Sequence, residues 1–472
     1  MLLSICKKCD ILIIWDIINE RMERFAMEMV VSKNAEYILA TLEEAGFEAY
    51  IVGGAVRDAL MGKVPSDYDI ATNAKPKDVK ALFHRTIDTG LKHGTVTVIE
   101  NKTGYEVTTY REETGYRDSR HPDSVQYVDE LACDLKRRDF TMNAMAYSPK
   151  RGFVDNFGGE EDIKNHVIRC VGIPEERFKE DALRMLRAVR FAACLNFDLS
   201  EDVVRAIRKC AVLIKNVSSE RILQELNKIL LCDRPSRIKL LYETGLMKYI
   251  IPELCSCFNT VQNNKYHIYN VGDHIMSAVD NTPNDLILRW SALLHDSGKP
   301  NCLSRDSAGI NHFYGHHRES VRIANDVLHK LRMDRDSIND ILVLIENHDV
   351  RIDTSPASVK RMLARTGENL FMKLLLLQEA DNRAKNLKFL DDKLSKLQAV
   401  YEQCQTIIAE RQPYQISQLQ INGRDLLKIG FKAGREIGDM LKLLLDEVVI
   451  DPSLNTRDYL IKRAIILKKK RS

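Results

Sequence analysis

The sequence predicts an α/β (α+β) head followed by an all-α remainder, and three observations support this fold class. At 472 residues the chain is too long for a single hydrophobic core, so several domains are expected. Up to about residue 150, short apolar runs alternate with short helical patterns. From about residue 160, after Asp155-Asn156-Phe157-Gly158-Gly159, apolar residues recur mostly at helical spacing.

The head is expected to begin with an amphipathic helix that ends at Gly46. The predicted elements are helices at 32–46 and 76–84 and strands at 48–52, 66–71, 94–100 and 104–111, with one later strand at 167–170. The resulting domains are an N-terminal extension (1–28), the head (29–155), an all-α neck (156–215), a helical body (216–262), a second helical unit (263–390) and a helical tail (391–472). Met27 and Met29 would be alternative starts, so the first 28 residues are treated as an extension.

The composition is that of a globular protein of the cytoplasm. Hydrophobic residues make up 44% and charged residues 29%, and the net charge is only +3, which does not by itself indicate a nucleic-acid partner. The eleven cysteines are odd in number and scattered, which favours a reducing compartment over a disulfide framework. No stretch has the length of a membrane-spanning helix, so no membrane is expected. The oligomeric state stays open.

Asp67 and Asp69 are the first candidate site. Carboxylates at i and i+2 on a strand point to the same face, where they repel unless a cation lies between them. An all-oxygen pair suits Mg²⁺, which completes its shell with substrate phosphates. The Gly53-Gly54 turn lets backbone approach a triphosphate, and Arg57 can add positive charge.

A polar turn at Pro65-Ser66-Asp67 is the alternative. The apolar run over residues 48–52 favours the first interpretation, because a strand, a glycine turn, a helix and a second strand together make a context suited to phosphate binding. The residues thus predict metal-dependent nucleotide chemistry.

Further candidates follow along the head. Glu106 lies on the second hairpin strand, where it could supply a third carboxylate or be a solvent-facing side chain. Residues 111–122 are polar and loop-like, which predicts a mobile segment beside the site or a solvated loop. Arg138 could clamp a phosphate or pair on the surface with Asp134 or Asp139.

In the neck, Asp181, Arg184, Arg187 and Arg190 recur every third residue and predict a polar stripe on one helix. Cytosine and adenine each present an amino donor beside a ring-nitrogen acceptor, whereas guanine and uracil present a carbonyl beside a ring N–H. A carboxylate and an arginine therefore select C and A. The alternative is an i,i+3 salt bridge on a solvated helix.

Together these segments resemble the class II CCA-adding enzymes, tRNA nucleotidyltransferases of the polymerase β superfamily. The resemblance rests on Gly-Gly-Ala-Val-Arg-Asp with Asp67-x-Asp69, the Arg-His-Pro segment, Arg137-Arg138-Asp139-Phe140-Thr141 and Glu180-Asp181-x-x-Arg184-x-x-Arg187-x-x-Arg190, in the family's order. It implies an enzyme with a nucleotidyltransferase head that adds CCA to the tRNA 3′ end from CTP and ATP. It also implies that Gly54 and Arg57 contact the triphosphate and that Asp67 and Asp69 hold Mg²⁺. Arg138, Asp181, Arg184, Arg187 and Arg190 would line the nucleotide pocket.

A second group of residues resembles the HD metal-phosphohydrolase superfamily. The basis is His274, then Leu293-Leu294-His295-Asp296-Ser297-Gly298-Lys299-Pro300, then Gly315-His316-His317, His348 and Asp381. The resemblance implies that residues 263–390 form an HD domain, with His274, His295, Asp296 and Asp381 as ligands of one metal and His316 and His348 as ligands of a second. Imidazole and carboxylate ligands suit Mn²⁺, Fe²⁺ or Ni²⁺ better than Mg²⁺. The alternative is a decayed module kept for shape.

The tail and the overall activity leave further alternatives. Residues 421–427 with Gly430, Gly434 and Gly438 resemble the family's tRNA-contacting tail, or simply end helices. The competing functions are an A-adding or poly(A)-polymerase-like enzyme that shares the head, and an HD phosphohydrolase whose head merely binds RNA.

Overall fold

The computed structural model describes residues 29–90, 94–116, 122–264 and 266–469, and these divide into two compact units. Unit 1 runs to Ile229 and includes Arg237–Ile250, and unit 2 comprises Leu230–Ser236 and the chain from Ile251 onward. The finer six-part division stays a prediction. Within the described residues, no helix combines the length and the apolar character needed to cross a membrane.

Unit 1 is built on a seven-stranded mixed sheet in the order β3-β4-β5-β2-β1-β8-β9. Its strands are β1 (Ala49–Val52), β2 (Asp69–Thr72), β3 (Thr86–Gly90), β4 (Thr95–Glu100), β5 (Thr103–Thr109), β8 (Met145–Ser148) and β9 (Gly152–Asp155). A separate antiparallel pair joins β6 (Arg111–Tyr116) and β7 (Pro122–Tyr127), and a parallel pair joins β10 (Val167–Ile168) and β11 (Asp198–Leu199).

The helices of unit 1 cover the sheet and form the neck. They are α1 (Lys33–Glu44), α2 (Gly54–Leu60), α3 (Pro76–Leu82), α4 (Leu131–Lys136), α5 (Gly159–Lys164), α6 (Pro174–Glu180), α7 (Leu183–Leu195), α8 (Glu201–Cys210), α9 (Ser219–Leu230), α10 (Leu240–Glu243) and α11 (Met247–Ile250). Residues buried on one side of the sheet, among them Val52, Ala71 and Ala146, pack with Tyr110 and Leu135 into a hydrophobic cluster. This core fixes the strand ends that carry the site.

Unit 2 is helical apart from one short strand pair, β12 (Ser304–Arg305) with β13 (Asn311–His312). Its helices are α12 (Val271–Asp280), α13 (Leu286–Leu294), α14 (His316–Lys330), α15 (Arg335–Asn347), α16 (Pro356–Thr366), α17 (Glu368–Arg383), α18 (Leu390–Ala409), α19 (Gly423–Lys428), α20 (Arg435–Ile450) and α21 (Arg457–Lys469). The last three pack around Leu426, Leu444 and Leu460.

The structure corrects two sequence expectations. Residues 111–116 are not a loop, because they pair with β7 in antiparallel register, while residues 117–121 lie outside the described residues. The neck stripe is not on one continuous helix, because α6 ends at Glu180 and α7 begins at Leu183. The Asp181 carboxylate accepts a hydrogen bond from the Leu183 N–H at 3.0 Å, and such a local bond starts a new helix instead of extending the old one.

Candidate functional sites

A cavity of about 610 Å³ in unit 1 collects most of the predicted head and neck residues. It is lined by Gly54, Arg57, Asp67, Asp69, Arg138, Asp181, Arg184, Arg187 and Arg190, together with Gly53, Arg137, Asp139, Asn143, Leu183, Phe191 and Arg221. Glu106 is not among the lining residues. The cavity therefore joins the glycine turn, the aspartate pair and the arginine stripe in one place.

The glycine turn has the backbone that its sequence predicts. Gly53 follows β1 at φ 73° and ψ −128°, a backbone conformation that residues other than glycine rarely adopt. A Cβ there would also lie 3.0 Å from Nη1 of Arg138. Arg57 on α2 donates from Nη1 to Oδ1 of Asn143 at 2.8 Å and from Nη2 to Oδ1 of Asp58 at 2.7 Å, so its guanidinium is already oriented.

Asp69 opens β2 beside Glu106. The parallel register pairs Ile70 with Val107, which sets the preceding residues of both strands next to each other. Asp69 keeps contact with solvent, yet the surrounding protein reduces its hydration. That desolvation, followed by the charge of Glu106, raises the pKa of Asp69, as does Asp67, while Arg138 opposes them. A carboxylate cluster of this kind is stabilised by a cation.

Buried carboxylates hold the arginines that line the cavity. The Asp134 side chain is fully buried and pairs with Arg137 at 2.7 Å and with Arg138 at 3.2 Å. Arg138 thus makes the ion pair with Asp134 that the sequence left open, while also lining the cavity. Asp139 pairs with Arg187 at 2.6 Å. Burial alone would raise the pKa of Asp139, but Arg187 and Asn143 outweigh it and lower the pKa to about 2.

The Phe191 ring packs against three guanidinium groups. Its centroid lies 4.1 Å from Cζ of Arg190, 5.2 Å from that of Arg57 and 5.5 Å from that of Arg187. Arg190 also donates from Nε to Oε2 of Glu225 at 2.7 Å. An aromatic face attracts cations, so this ring helps to gather like charges into one wall.

Asp181 and Arg184 line the same cavity without bonding to each other. Arg184 donates from Nη1 to Oε2 of Glu180 at 2.7 Å and from Nη2 to the Arg137 carbonyl at 3.0 Å. Asp181 instead receives Nη2 of Arg221 at 3.0 Å. The i,i+3 salt bridge considered for this pair is therefore absent.

Unit 2 brings the predicted HD residues together. Four histidines each place Nδ1 against a backbone carbonyl, with His274 to Ala384 at 3.2 Å, His295 to Ala292 at 2.7 Å, His316 to Phe313 at 2.9 Å and His348 to Ile345 at 2.7 Å. A carbonyl only accepts, so Nδ1 carries a proton in each ring, and Nε2 is the nitrogen that is left to bind a metal. This arrangement is typical of metal-binding histidines.

All four Nε2 atoms point toward Asp296. Those of His274 and His295 lie 3.3 and 3.2 Å from Oδ2, and those of His316 and His348 lie 3.3 and 3.6 Å from Oδ1. Asp381 completes the first group, with Oδ1 at 3.0 Å from Nε2 of His274. The two carboxylate oxygens of Asp296 thus face two sets of ligand atoms.

The cluster meets a direct test for a metal site. Among the described residues, Nε2 of His274 and Nε2 of His295 are buried without a hydrogen-bond partner, and they lie 3.3 and 3.2 Å from Oδ2 of Asp296. Buried polar atoms without partners are costly unless a ligand satisfies them. Two trios, one with His274 and His295 and one with His316 and His348, share Asp296 and keep their ligand atoms within 4.8 Å.

The HD cluster opens into a cavity of about 340 Å³. Lys299, which is 6% exposed, reaches Oδ2 of Asp296 at 2.6 Å and Oε1 of Gln262 at 2.8 Å. Lys385 pairs with Asp381 at the same cavity. Burial, followed by the charge of Lys299, lowers the pKa of His267 to about 2, so its ring is neutral.

Sequence reasoning missed several lining residues. Arg221, Asp139 and Phe191 line the unit 1 cavity, and His267 and Lys299 line the other. Lys299 lies three residues after Asp296 of the His-Asp pair and could have been found from that position. Arg221 could not, because it is 40 residues from Asp181.

In the tail, the described residues make ordinary helix caps. Asn422 accepts from the Arg424 N–H at 2.9 Å and forms a capping box with Asp425 at the start of α19. Gly430 and Gly434 have positive φ values of 85° and 99° next to helix ends. Helix termination thus explains this segment, and a tRNA contact there stays a prediction.

Comparison with protein families gives three matches along the chain. Residues 49–169 match the poly A polymerase head domain, residues 196–258 match the RNA and SrmB-binding site of polymerase A, and residues 316–464 match the tRNA nucleotidyltransferase domain 2. The first match contains the aspartate pair.

Curated relatives align over nearly the whole chain. The CCA-adding enzyme of Latilactobacillus sakei is 35% identical over 428 residues, which is 90% of this chain and 96% of the relative. That of Ligilactobacillus salivarius is 36% identical over 439 residues, 92% of this chain and 96% of the relative. The crystal structure of the Bacillus stearothermophilus CCA-adding enzyme in complex with CTP is similar to this chain with a TM-score of 0.69. The sequences are 29% identical, and the match covers 93% of this chain and 98% of that one.

Proposed function

This chain belongs to the CCA-adding enzymes, and we propose that its unit 1 cavity is where CTP and ATP are selected and joined to the tRNA 3′ end. The chain is a tRNA nucleotidyltransferase. One observation carries the assignment of the site: a single cavity contains both the aspartate pair and the Asp181–Arg184 segment. The first supplies a place for phosphate chemistry, and the second supplies a means of choosing the base.

The proposed reaction is an in-line attack of the tRNA 3′-hydroxyl on the α-phosphate, with pyrophosphate as the leaving group. The family uses a divalent metal, and we propose Mg²⁺ at Asp67 and Asp69, with Glu106 as a further carboxylate. Mg²⁺ bound there would lower the pKa of the attacking hydroxyl and offset the charge of the leaving group.

The protein itself contributes orientation and charge. Arg57, Arg138, Arg187 and Arg190 face the cavity with their guanidinium groups fixed by carboxylates or by the Phe191 ring. Such donors can bind phosphate oxygens without reorganising, which favours the transition state electrostatically. Gly54 lets the chain pass close to the phosphates.

Base choice is assigned to Asp181 and Arg184. The carboxylate would accept from the amino group of cytosine or adenine, and the guanidinium would donate to the neighbouring ring nitrogen. Guanine and uracil would place a carbonyl against the carboxylate and an N–H against the arginine. We expect Asp181→Ala to weaken discrimination against UTP and GTP, and an unchanged nucleotide preference would count against this assignment.

The test is incubation of the full chain with CTP, ATP, Mg²⁺ and tRNA that ends either before the first C or at the second C, followed by sequencing of the products. We expect CCA and A to be added, respectively. An A-adding or poly(A)-polymerase-like enzyme would fail to use CTP.

The assignment of the aspartate pair is tested with the double variant Asp67→Ala, Asp69→Ala, which should lose addition. Asp88→Ala is a matched control, because Asp88 lies on β3 of the same sheet and pairs with Lys80 outside the cavity. Addition by the double variant would refute the site.

We propose a second activity for unit 2, in which His274, His295, Asp296 and Asp381 hold one transition metal and His316 and His348, with Asp296, hold another. The proposal is supported by four histidines whose Nδ1 groups donate to carbonyls and by Asp296, which belongs to both groups of possible ligands. Imidazole and carboxylate ligands favour Mn²⁺, Fe²⁺ or Ni²⁺.

The proposed substrates of unit 2 are phosphate esters at RNA ends or 2′,3′-cyclic nucleotides. Two lysines line the cavity and can attract phosphate. The Tyr314 ring, 77% exposed, stacks at 5.2 Å and 6° on His312, which Asp306 anchors at 2.8 Å. An exposed aromatic face beside a phosphate site suits a nucleobase.

This second activity is tested by phosphate release from both substrate types with Mn²⁺, Ni²⁺ or Mg²⁺. Asp296→Asn should abolish release, and the double variant Asp67→Ala, Asp69→Ala should retain it. If the wild-type chain bound no transition metal and released no phosphate, unit 2 would be a module kept for shape.

We also propose that the protein acts in the cytoplasm, where tRNA maturation supplies its substrate. Fractionation of source cells followed by immunodetection would test this.

A further inference from the structure

Arg221 is the one cation of α9 (Ser219–Leu230) that lines the unit 1 cavity, and its partner there is Asp181. Nη2 of Arg221 lies 3.0 Å from Oδ2 of Asp181, and the two side chains are 24% and 21% exposed. We propose that Arg221 is a positioning residue for base selection, which acts by holding the Asp181 carboxylate in the orientation that reads the amino group of C or A. This inference rests on the proposed role of Asp181.

The Asp181 carboxylate is fixed at both oxygens. Oδ1 accepts the Leu183 N–H at 3.0 Å, and Oδ2 accepts Nη2 of Arg221. Each carboxylate oxygen offers two lone pairs, so Oδ2 keeps one for a base while Arg221 occupies the other. The two bonds together set the rotation of the carboxylate plane, which decides where an incoming amino group must lie.

Asp181 needs such a partner because it sits between helices. It lies in the break after α6 with φ −138° and ψ 104°, and the backbone holds its side chain at one oxygen, through the Leu183 N–H. Arg184 does not hold it, since that guanidinium is engaged by Glu180 and by the Arg137 carbonyl. Without Arg221, the Leu183 N–H would still hold Oδ1, but Oδ2 could turn toward the other guanidinium groups of the cavity.

A second contact fixes α9 against the same wall. Glu225, one turn after Arg221, has a side chain that is 5% exposed and binds Nε of Arg190 at 2.7 Å. Helix α9 thus pairs Arg221 with the Asp181 carboxylate and pairs Glu225 with Arg190. Because the two contacts have opposite polarity, α9 has one favourable register against the wall, and Arg221 is held to the position of Asp181.

The experiment compares kcat/KM for CTP against UTP and for ATP against GTP in the full chain. Arg221→Gln should lower both discrimination ratios about tenfold, which is about 1.4 kcal/mol of selectivity. Arg221→Lys should restore part of the loss, because it keeps the charge but not the planar fork. A drop confined to CTP would overturn the proposal, since it would mean that Arg221 touches cytosine directly.

A double variant tests whether the effect passes through Asp181. In an Asp181→Ala background, Arg221→Gln should change neither ratio further. A further loss in that background would overturn the positioning role. If Asp181→Ala alone left selectivity intact, the proposed role of Asp181 would itself fail, and this result is distinct because it does not involve Arg221.

Arg237→Gln is the matched control. Arg237 is 23% exposed in its side chain and pairs with Asp198 in the same unit, outside the cavity. It should leave both ratios unchanged. If it lowered them as much as Arg221→Gln does, the loss would come from general loosening of unit 1 and the proposal would be overturned.

Discussion

Asp139 offers a quantitative test of how unit 1 is held together around its cavity. Its carboxylate accepts the Phe140 N–H at 2.8 Å and Nδ2 of Asn143 at 3.1 Å through Oδ1, and it binds Arg187 through Oδ2. Asp139→Asn keeps the shape and an acceptor at Oδ1 but removes the charge that faces Arg187. The variant therefore isolates the ion pair.

The expected loss follows from the pKa of Asp139, which falls from the ordinary 3.8 to about 2 in the folded chain. One pKa unit corresponds to about 1.36 kcal/mol, so ionised Asp139 contributes about 2 kcal/mol to the stability of unit 1 at neutral pH. Removing one partner of a fully buried pair costs about 3–5 kcal/mol. The Arg187 side chain is 34% exposed, so the pair is not fully buried. We therefore expect the loss derived from the pKa, and not the larger loss of a fully buried pair.

The sign of the pH dependence is fixed by the same values. Because the folded pKa is depressed, the contribution is present above 3.8 and is lost as pH falls toward about 2. At pH 3 about 1 kcal/mol remains. The difference between the wild-type chain and Asp139→Asn should therefore shrink to about half between pH 7 and pH 3.

The assay uses a Trp15→Phe parent, in which Trp290 of unit 2 is the remaining tryptophan. In urea, Trp290 fluorescence reports unit 2, and far-ultraviolet circular dichroism reports both units. An unfolding transition that appears in the dichroism signal but not in the fluorescence signal therefore belongs to unit 1. With a slope of about 2–3 kcal/mol/M, Asp139→Asn should lower its midpoint by about 1 M and leave the fluorescence transition in place.

Asp198→Asn is the control, because it removes an ion pair whose carboxylate is 83% exposed. It should cost less than about 0.5 kcal/mol. The reasoning would be refuted if Asp139→Asn left the unit 1 midpoint unchanged, or if both variants lowered it equally.

Three further predictions concern the metals and the packing. Mn²⁺ at one hundred times its Kd should stabilise unit 2 by about 2.7 kcal/mol, read by tryptophan fluorescence; EDTA should reverse this, and Asp296→Asn should show no effect. Gly298→Ala should lower the free energy of unfolding of unit 2 by at least about 1–3 kcal/mol in the same assay, because its Cβ would lie 2.6 Å from backbone atoms of α14. Gly438→Ala is the control, because its Cβ meets nothing within 4 Å, and it should be neutral or stabilising. Glu106→Gln should lower the pKa of Asp69 and so move the acidic limit of nucleotide addition to lower pH; an unmoved pH profile would contradict the contact.

Local spacing explains what the sequence could predict of the sites. Asp67-x-Asp69 and the glycine turn lie within one short stretch, so strand periodicity and glycine conformation were enough to place them together. The predicted HD residues lie in, or directly after, several helices of unit 2. Their convergence was expected only because the order of histidines and aspartates resembles a known superfamily.

Long-range pairing explains what the sequence could not predict. Residues 111–116 are polar, and their strand character depends on β7, which follows the undescribed residues 117–121. Strand preference is set by such neighbours more than by the residues themselves. The break at Asp181 was missed for a related reason, because a three-residue recurrence continues across it although the Asp181 side chain starts a new helix.

The charged residues that line the unit 1 cavity differ in whether they make ion pairs. Every arginine that lines the cavity has a carboxylate partner: Asp58 for Arg57, Asp134 for Arg137 and Arg138, Glu180 for Arg184, Asp139 for Arg187, Glu225 for Arg190 and Asp181 for Arg221. Asp67 and Asp69 make no ion pair within 4.0 Å with a cation of the described residues.

In the proposed function, the arginines and the two aspartates have different parts in binding a nucleotide. The arginines are held in place before any substrate arrives, so little ordering remains to be done when a triphosphate binds. Desolvation first, and then the negative charges of Glu106 and Asp67, raise the pKa of Asp69. Seven arginines stand nearby and none pairs with Asp67 or Asp69, which supports the proposal that these two carboxylates bind a cation that comes with the nucleotide.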